Sequence, residues 1–215
     1  MIRNAWYLYF ALNLVIKVEC GGIGIALFTP QQGVVAQEEM MHKTMSVTDK
    51  EEVAALKQLV MDSIDKSVEQ IRTERDSYGL FSKMKFGGVG FDPLDSDREL
   101  NVIEQINQSF TYLASFNAME VLFKYHSELA PYTLNLGTAP GSDIESNCGT
   151  LAAEVFASVT PSNNQKLKKD IDKVAATNAQ LKYAFFMCPN FEYGRQAKFE
   201  RDGVKVWAIE GANSL

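Results

Sequence analysis

Apolar residues recur at spacings of three and four from Val53 through Leu56, Val60, Ile64, Val68 and Ile71. That is the period of a helix with one buried stripe and a charged outer face. Thr48 and Glu51 stand at capping-box spacing just before it, so a helix is predicted to open there and to end near Tyr78-Gly79. A second stripe runs through Leu100, Ile103, Ile106, Phe110 and Leu113. Ser96 and Glu99 give it a start near Ser96 or Asp97; it continues to about His126, with Asn117 as the expected break.

Beyond His126 the pattern changes. Tyr132–Gly137, Thr150–Thr160, Leu181–Cys188 and Val204–Ile209 are short runs rich in β-branched and aromatic residues, which predicts strands. Asp202-Gly203 sets a turn before the last of them. Between the second and third, Gln165–Ala176 has a helical period with Leu167, Ile171 and Val174 on its inner face. The order predicts an α/β protein with a mixed central sheet flanked by helices.

Two stretches lie outside this scheme. Trp6–Ile16 is an apolar run broken only by Asn13, too short for a membrane span. It has the basic start and apolar middle of a signal peptide but no clean small-residue cleavage site. Residues 1–45 are therefore expected to be a peripheral leader, and 46–215 a single domain. Gly87, Gly88 and Gly90 form a glycine cluster. A phosphate loop would lead straight into a helix, whereas Asp92 and Asp95 follow here, so a loop or short hairpin is expected.

Charge changes the picture more than composition does. The net charge is −6, but Pro161–Lys205 carries nine basic and five acidic residues, +4 against −10 elsewhere. A basic rim beside an acidic site is one reading; a solvated helix and hairpin is the other. The three cysteines, Cys20, Cys148 and Cys188, are scattered without a CxxC spacing, which points to a reducing, cytoplasmic setting. The two histidines, His42 and His126, lie away from the central stretch.

That stretch runs from Thr138 to Thr160. Pro140-Gly141 breaks the chain, Asp143 follows, and Asn147–Gly149 reverses direction into a run whose one carboxylate is Glu154. An uncompensated carboxylate in a buried strand costs several kcal/mol, roughly. A hard cation shared with Asp143 would compensate it. The bland alternative has Asp143 capping a turn and Glu154 facing solvent from an edge strand, with Ala153 and Val155 inward.

In order and spacing, Asp143, a strand carrying Glu154, a helix and a very apolar strand resemble the core of the PD-(D/E)xK nuclease superfamily, over roughly Glu99–Cys188. The resemblance implies a restriction-endonuclease-like fold and Mg²⁺ held by Asp143 and Glu154, with Glu145 or Glu104 as further ligands. It implies a lysine two residues after Glu154, where Phe156 stands. A relocated lysine, Lys166 or Lys169, would then complete the catalytic set with Asp143 and Glu154. Lys166, Lys168, Lys169 and Lys173 would hold a nucleic-acid backbone, with DNA as the expected partner. The resemblance admits a homodimer; no membrane partner is expected. Two further readings stay open: a catalytically silent module of the same fold that binds nucleic acid or protein, and an envelope-associated protein resting on the N-terminal apolar run alone.

Overall fold

The computed structural model describes residues 44–137 and 139–211. Residues 1–43 of the expected leader, with Cys20 and His42, and Thr138 lie outside the described residues. The elements are β1 (Thr44–Val47), α1 (Lys50–Thr73), α2 (Ser77–Phe86), β2 (Phe91–Asp92), β3 (Asp95–Glu99), α3 (Val102–His126), β4 (Tyr132–Asn135), β5 (Ile144–Ser146), β6 (Leu151–Ala157), α4 (Lys166–Ala175), β7 (Leu181–Met187), β8 (Gly194–Arg195) and β9 (Val204–Ala208). Seven strands form one mixed sheet in the order β1-β4-β5-β6-β7-β9-β8, and β2 and β3 form a separate hairpin. β4, β5 and β6 are antiparallel neighbours, while β6, β7 and β9 run parallel. A parallel pair needs a crossover, and α4 supplies it between β6 and β7.

Side chains alternate across the sheet with the period of two that a strand imposes. Ala153 and Val155 of β6 and Tyr183, Phe185 and Met187 of β7 join the core under α1 and α3. Ala152, Phe156, Ala184, Phe186 and Cys188 join a second core with Leu167, Ile171 and Val174 of α4. Both faces of the central strands are thus covered, which is why β6 and β7 read as nearly continuous apolar runs.

The helical half departs from the sequence pattern in four places. The first helix stops at Thr73, and Asp76 caps a separate helix, accepting a 2.9 Å hydrogen bond from the Gly79 amide. Its own cap lies one residue beyond the expected pair. Asp49 accepts from the Glu52 amide at 2.8 Å, and the Glu52 carboxylate accepts from the Thr48 amide at 2.6 Å. Ser96 opens no helix, because Asp95–Glu99 is a strand paired with Phe91–Asp92; Asn101 caps α3 instead, accepting from the Glu104 amide. Asn117 breaks nothing: its side chain donates to the Glu210 carbonyl at 2.8 Å from inside a continuous α3. β1 is a strand the pattern did not reveal, spanning the expected boundary at residue 45 and pairing with β4.

The glycine cluster has a structural use at Gly90, whose φ is +126°. A Cβ there would sit 2.7 Å from the Leu100 carbonyl oxygen and 2.9 Å from the Asn101 carbonyl carbon. The hairpin closes against the start of α3 only because no side chain intervenes. Gly90→Ala is expected to destabilise the fold by roughly 2–4 kcal/mol through backbone strain and overpacking. Urea denaturation checks this, and a cost below about 1 kcal/mol, the size of a mild surface change, would show that the junction yields.

Candidate active site

β5 and β6 bring the two acids together. Ile144 pairs with Ala153, so one more step along the register sets Asp143 across from Glu154. Asp143 ends the ladder with its side chain: one carboxylate oxygen accepts from the Val155 amide at 2.8 Å, the N–H that a longer β5 would have bound. Its carbonyl accepts from the Asn135 amide.

Glu154 lies between Ala152 and Phe156 on the sheet face that α4 covers, and only 2% of it is exposed. The solvent-facing, edge-strand alternative is thereby excluded, since β6 is the central strand of seven.

The helix supplies the counter-charges. Lys166, Asp170 and Lys173 are spaced four and three apart, so they share one flank of α4. The Lys173 ammonium lies 2.8 Å from Glu154 Oε2, and the Lys166 ammonium 2.7 Å from an oxygen of the buried Asp170. Glu154 Oε1 and Asp170 Oδ2 are buried with no hydrogen-bond partner among the described residues. Buried acceptors of this kind are rare in folded proteins.

Three carboxyls against two ammoniums under a helix shift one another's protonation. Burial, then the like charge of Asp143, pushes Glu154 up to about 7 against the opposing pull of Lys173. Burial also raises Asp143 against its Val155 hydrogen bond, and raises Asp170 against Lys166. For Lys173, burial acts downward, but the Glu154 hydrogen bond and the surrounding carboxylates outweigh it, and the ammonium is held above its ordinary range. Carboxyls driven upward in a cluster mark functional sites more often than plain salt bridges do.

The other expected residues are placed as follows. Glu145 lies on the same face as Asp143 by alternation, but its Oε1 accepts from the Ser142 amide at 2.8 Å and so ties the loop before β5. Glu104 is exposed in the first turn of α3, on the helix that covers the opposite sheet face, and the structure does not bring it to the pair. Phe156 is a core residue, 6.1 Å from the Phe186 ring, with the Lys166 ammonium 5.9 Å above it. Lys169 is exposed, and no ion pair among the described residues joins it to the acids; Lys168 is exposed on the far shoulder of α4.

Lys173, read from sequence only as a backbone contact, is the lysine that reaches Glu154. Asp170 went unread. The period of Lys166, Asp170 and Lys173 was the available signal, but nothing in the sequence tells which flank of α4 turns toward β6.

Hard oxygen donors suit a cation such as Mg²⁺, which keeps several waters and needs only one or two carboxylates. The orphaned Glu154 Oε1 beside Asp143 fits such an ion. Among the described residues no group of three His, Cys, Asp or Glu is placed to hold a metal, so water would complete the shell. No helix of the described residues is long and apolar enough to cross a membrane.

No family model, no curated protein and no solved structure matches this chain. The architecture and the site therefore stand on their own residues: a mixed α/β domain with a seven-stranded sheet among the described residues and an acid pair, Glu154 buried and Asp143 half-buried, served by lysines from the crossover helix.

Proposed function

We propose that the chain is a Mg²⁺-dependent nuclease-like protein acting on nucleic-acid phosphodiesters, with its lysine supplied by α4. The observation that carries the reading is the Lys173 ammonium, 2.8 Å from a carboxylate that is 98% buried and faces Asp143 across adjoining strands. The succession α3, β4, β5, β6, α4, β7, with an acid at the start of β5 and another on β6, supports the resemblance to the PD-(D/E)xK core.

In this reading Asp143 and Glu154 would hold the ion, whose chemistry when bound would be activation of a water and neutralisation of charge at the phosphate. Lys173, half-exposed and anchored by Glu154, donates to the oxygen on which negative charge builds. Asp170 fixes Lys166 beside Phe156. Lys168 and Lys169, exposed on α4, offer backbone contacts to a strand of DNA.

Incubation of supercoiled plasmid with purified chain and Mg²⁺ or Mn²⁺ is expected to produce nicks, which chelator prevents and Asp143→Ala abolishes. Cleavage that persists in both Asp143→Ala and Glu154→Ala would overturn the site assignment.

One observation favours a second reading, a catalytically silent module of the same fold. Both lysines already pair with carboxylates, and an aromatic ring fills the position two residues after Glu154. That module would bind DNA without metal, with a steep salt dependence and no turnover.

A further inference from the structure

The other flank of α4 carries no part of the acid cluster. Leu167, Lys168 and Ile171 lie there, opposite Phe191, Phe199 and Arg201 of the segment leading into β9, around a cavity of about 610 Å³. That is the size of a small-molecule site. Its floor is aromatic. Phe191 and Phe199 lie 6.2 Å apart, and both pack on Phe186 of the sheet, at 5.0 Å and 6.1 Å. Its rim is cationic. The Lys198 ammonium stands 4.9 Å above the Phe199 ring and 5.4 Å above Phe191, and Arg201 reaches across to the Lys168 carbonyl at 3.0 Å. No carboxylate is among the lining residues. Of the three cations only Arg201 is paired, with Asp172 and Asp202 on the outer side; no ion pair among the described residues involves Lys168 or Lys198. Thr160, Ser162 and Gln165 add hydroxyl and amide groups at the mouth.

We infer that this cavity is a binding site for a nucleoside phosphate unit, whose base lies against Phe191 and Phe199 and whose phosphate meets Lys168, Lys198 and Arg201. Aromatic faces accept any base by stacking, cations over a ring reinforce it, and the hydroxyl and amide groups offer partners for a base edge or sugar. A fatty acid would match the floor but would need a longer apolar channel than this open cleft. An inorganic anion would match the rim and leave the rings unused. The unit has two sources of identical chemistry, a free nucleotide or one residue of a single strand. The inference does not rest on the cleavage chemistry, because the pocket and the acid pair occupy opposite shoulders of one helix.

The test is calorimetric and fluorescence titration of the full chain, with chelator present, using adenosine and thymidine monophosphates, inorganic phosphate, and a short fluorescein-labelled oligodeoxythymidine. Saturable binding of a monophosphate or the oligonucleotide is expected, with inorganic phosphate a poor competitor. Lys198→Glu and Phe191→Ala should each weaken binding by about tenfold or more, the scale of losing a stacked base or its counter-charge. Lys198 is exposed, so its reversal keeps the fold, and a thermal melt verifies that for both variants. Asp143→Ala should bind as the parent does, which separates failure here from failure of the nuclease reading. Equal affinity for monophosphate and strand identifies a free nucleotide as the source; about tenfold tighter binding of the strand identifies single-stranded nucleic acid. The inference is overturned if neither probe binds, if Lys198→Glu and Lys168→Glu both leave binding unchanged, or if inorganic phosphate competes as well as the nucleotide.

Discussion

Glu154→Gln is expected to abolish plasmid nicking and, in the same protein, to raise its stability at pH 8 by about 2–3 kcal/mol. The two effects have one cause. The carboxylate is buried, one oxygen has no hydrogen-bond partner among the described residues, and Asp143 faces it. In the folded chain without metal its pKa is about 7, against 4.5 when unhindered. Between those values the folded state holds a proton that the unfolded state has released. Stability therefore falls as pH rises from about 4.5 to about 7 and is level above that, a total loss of about 3 kcal/mol.

Glutamine has no such proton to lose. The variant should show a flatter stability profile across this window and, for a domain of this size, a midpoint roughly 5–10 °C higher at pH 8. Thermal melts at intervals of pH, with chelator present, give the comparison. Asp143 and Asp170 are shifted in the same direction, so some slope should survive. Lys173 adds a separate loss at alkaline pH as its raised pKa is crossed. A variant that loses stability at pH 8 would mean that the Lys173–Glu154 pair holds the helix down more strongly than the buried charge opposes it. A residue whose removal stabilises the fold while ending activity is held there by function.

How far the sequence revealed this arrangement depends on what each residue had to decide. β4, β6, β7, β9 and α4 were legible because their apolar periods are clean: Leu167, Ile171 and Val174 are buried as their spacing requires, and Leu181–Met187 is a central strand, whereas the three residues of β5 and the two of β8 hold too short a pattern. Local chemistry was weaker where two structures fit it equally well. Ser96 and Glu99 have helix-cap spacing, yet Asp92 is 1% exposed and its carboxylate accepts from the Leu94 amide and the Arg98 guanidinium. The hairpin those contacts close uses up the residues a cap would have needed. β1 escaped notice because four residues hold too short a pattern to separate from a linker.

At the site, Asp143 and Glu154 were legible as acids in apolar company, since turn and strand signals set them on adjoining strands. The sequence could not say which of several lysines reaches Glu154. A helix of ten residues can turn either shoulder toward the sheet without altering its buried stripe much. Packing of Leu167 and Ile171 against Phe186 and Phe199 decides that rotation, and those partners come from β7 and from the short turn before β9, later in the chain.

That rotation leads to the last expected result, a separation of Lys173 from Lys169. The two are four residues apart and carry the same charge, but only Lys173 touches the acid pair. Lys173→Met keeps the aliphatic stem and removes the ammonium; it should lower the nicking rate by about 10²–10³, the scale of losing one donor aimed at developing charge. Lys169→Met should weaken binding modestly, as one backbone contact does, and lessen its salt dependence without a comparable fall in turnover. Single-turnover cleavage over a range of protein concentrations separates the two, since the first change persists at saturation and the second vanishes. The Lys173 variant should also show Glu154 protonated to still higher pH, because the opposing pull on that carboxyl is gone. With chelator present, its stability should accordingly fall over a more alkaline window, a movement Lys169→Met cannot produce. If both variants lose turnover equally and neither profile moves, the lysines act together as a basic surface, and the ammonium beside Glu154 has no chemical role of its own.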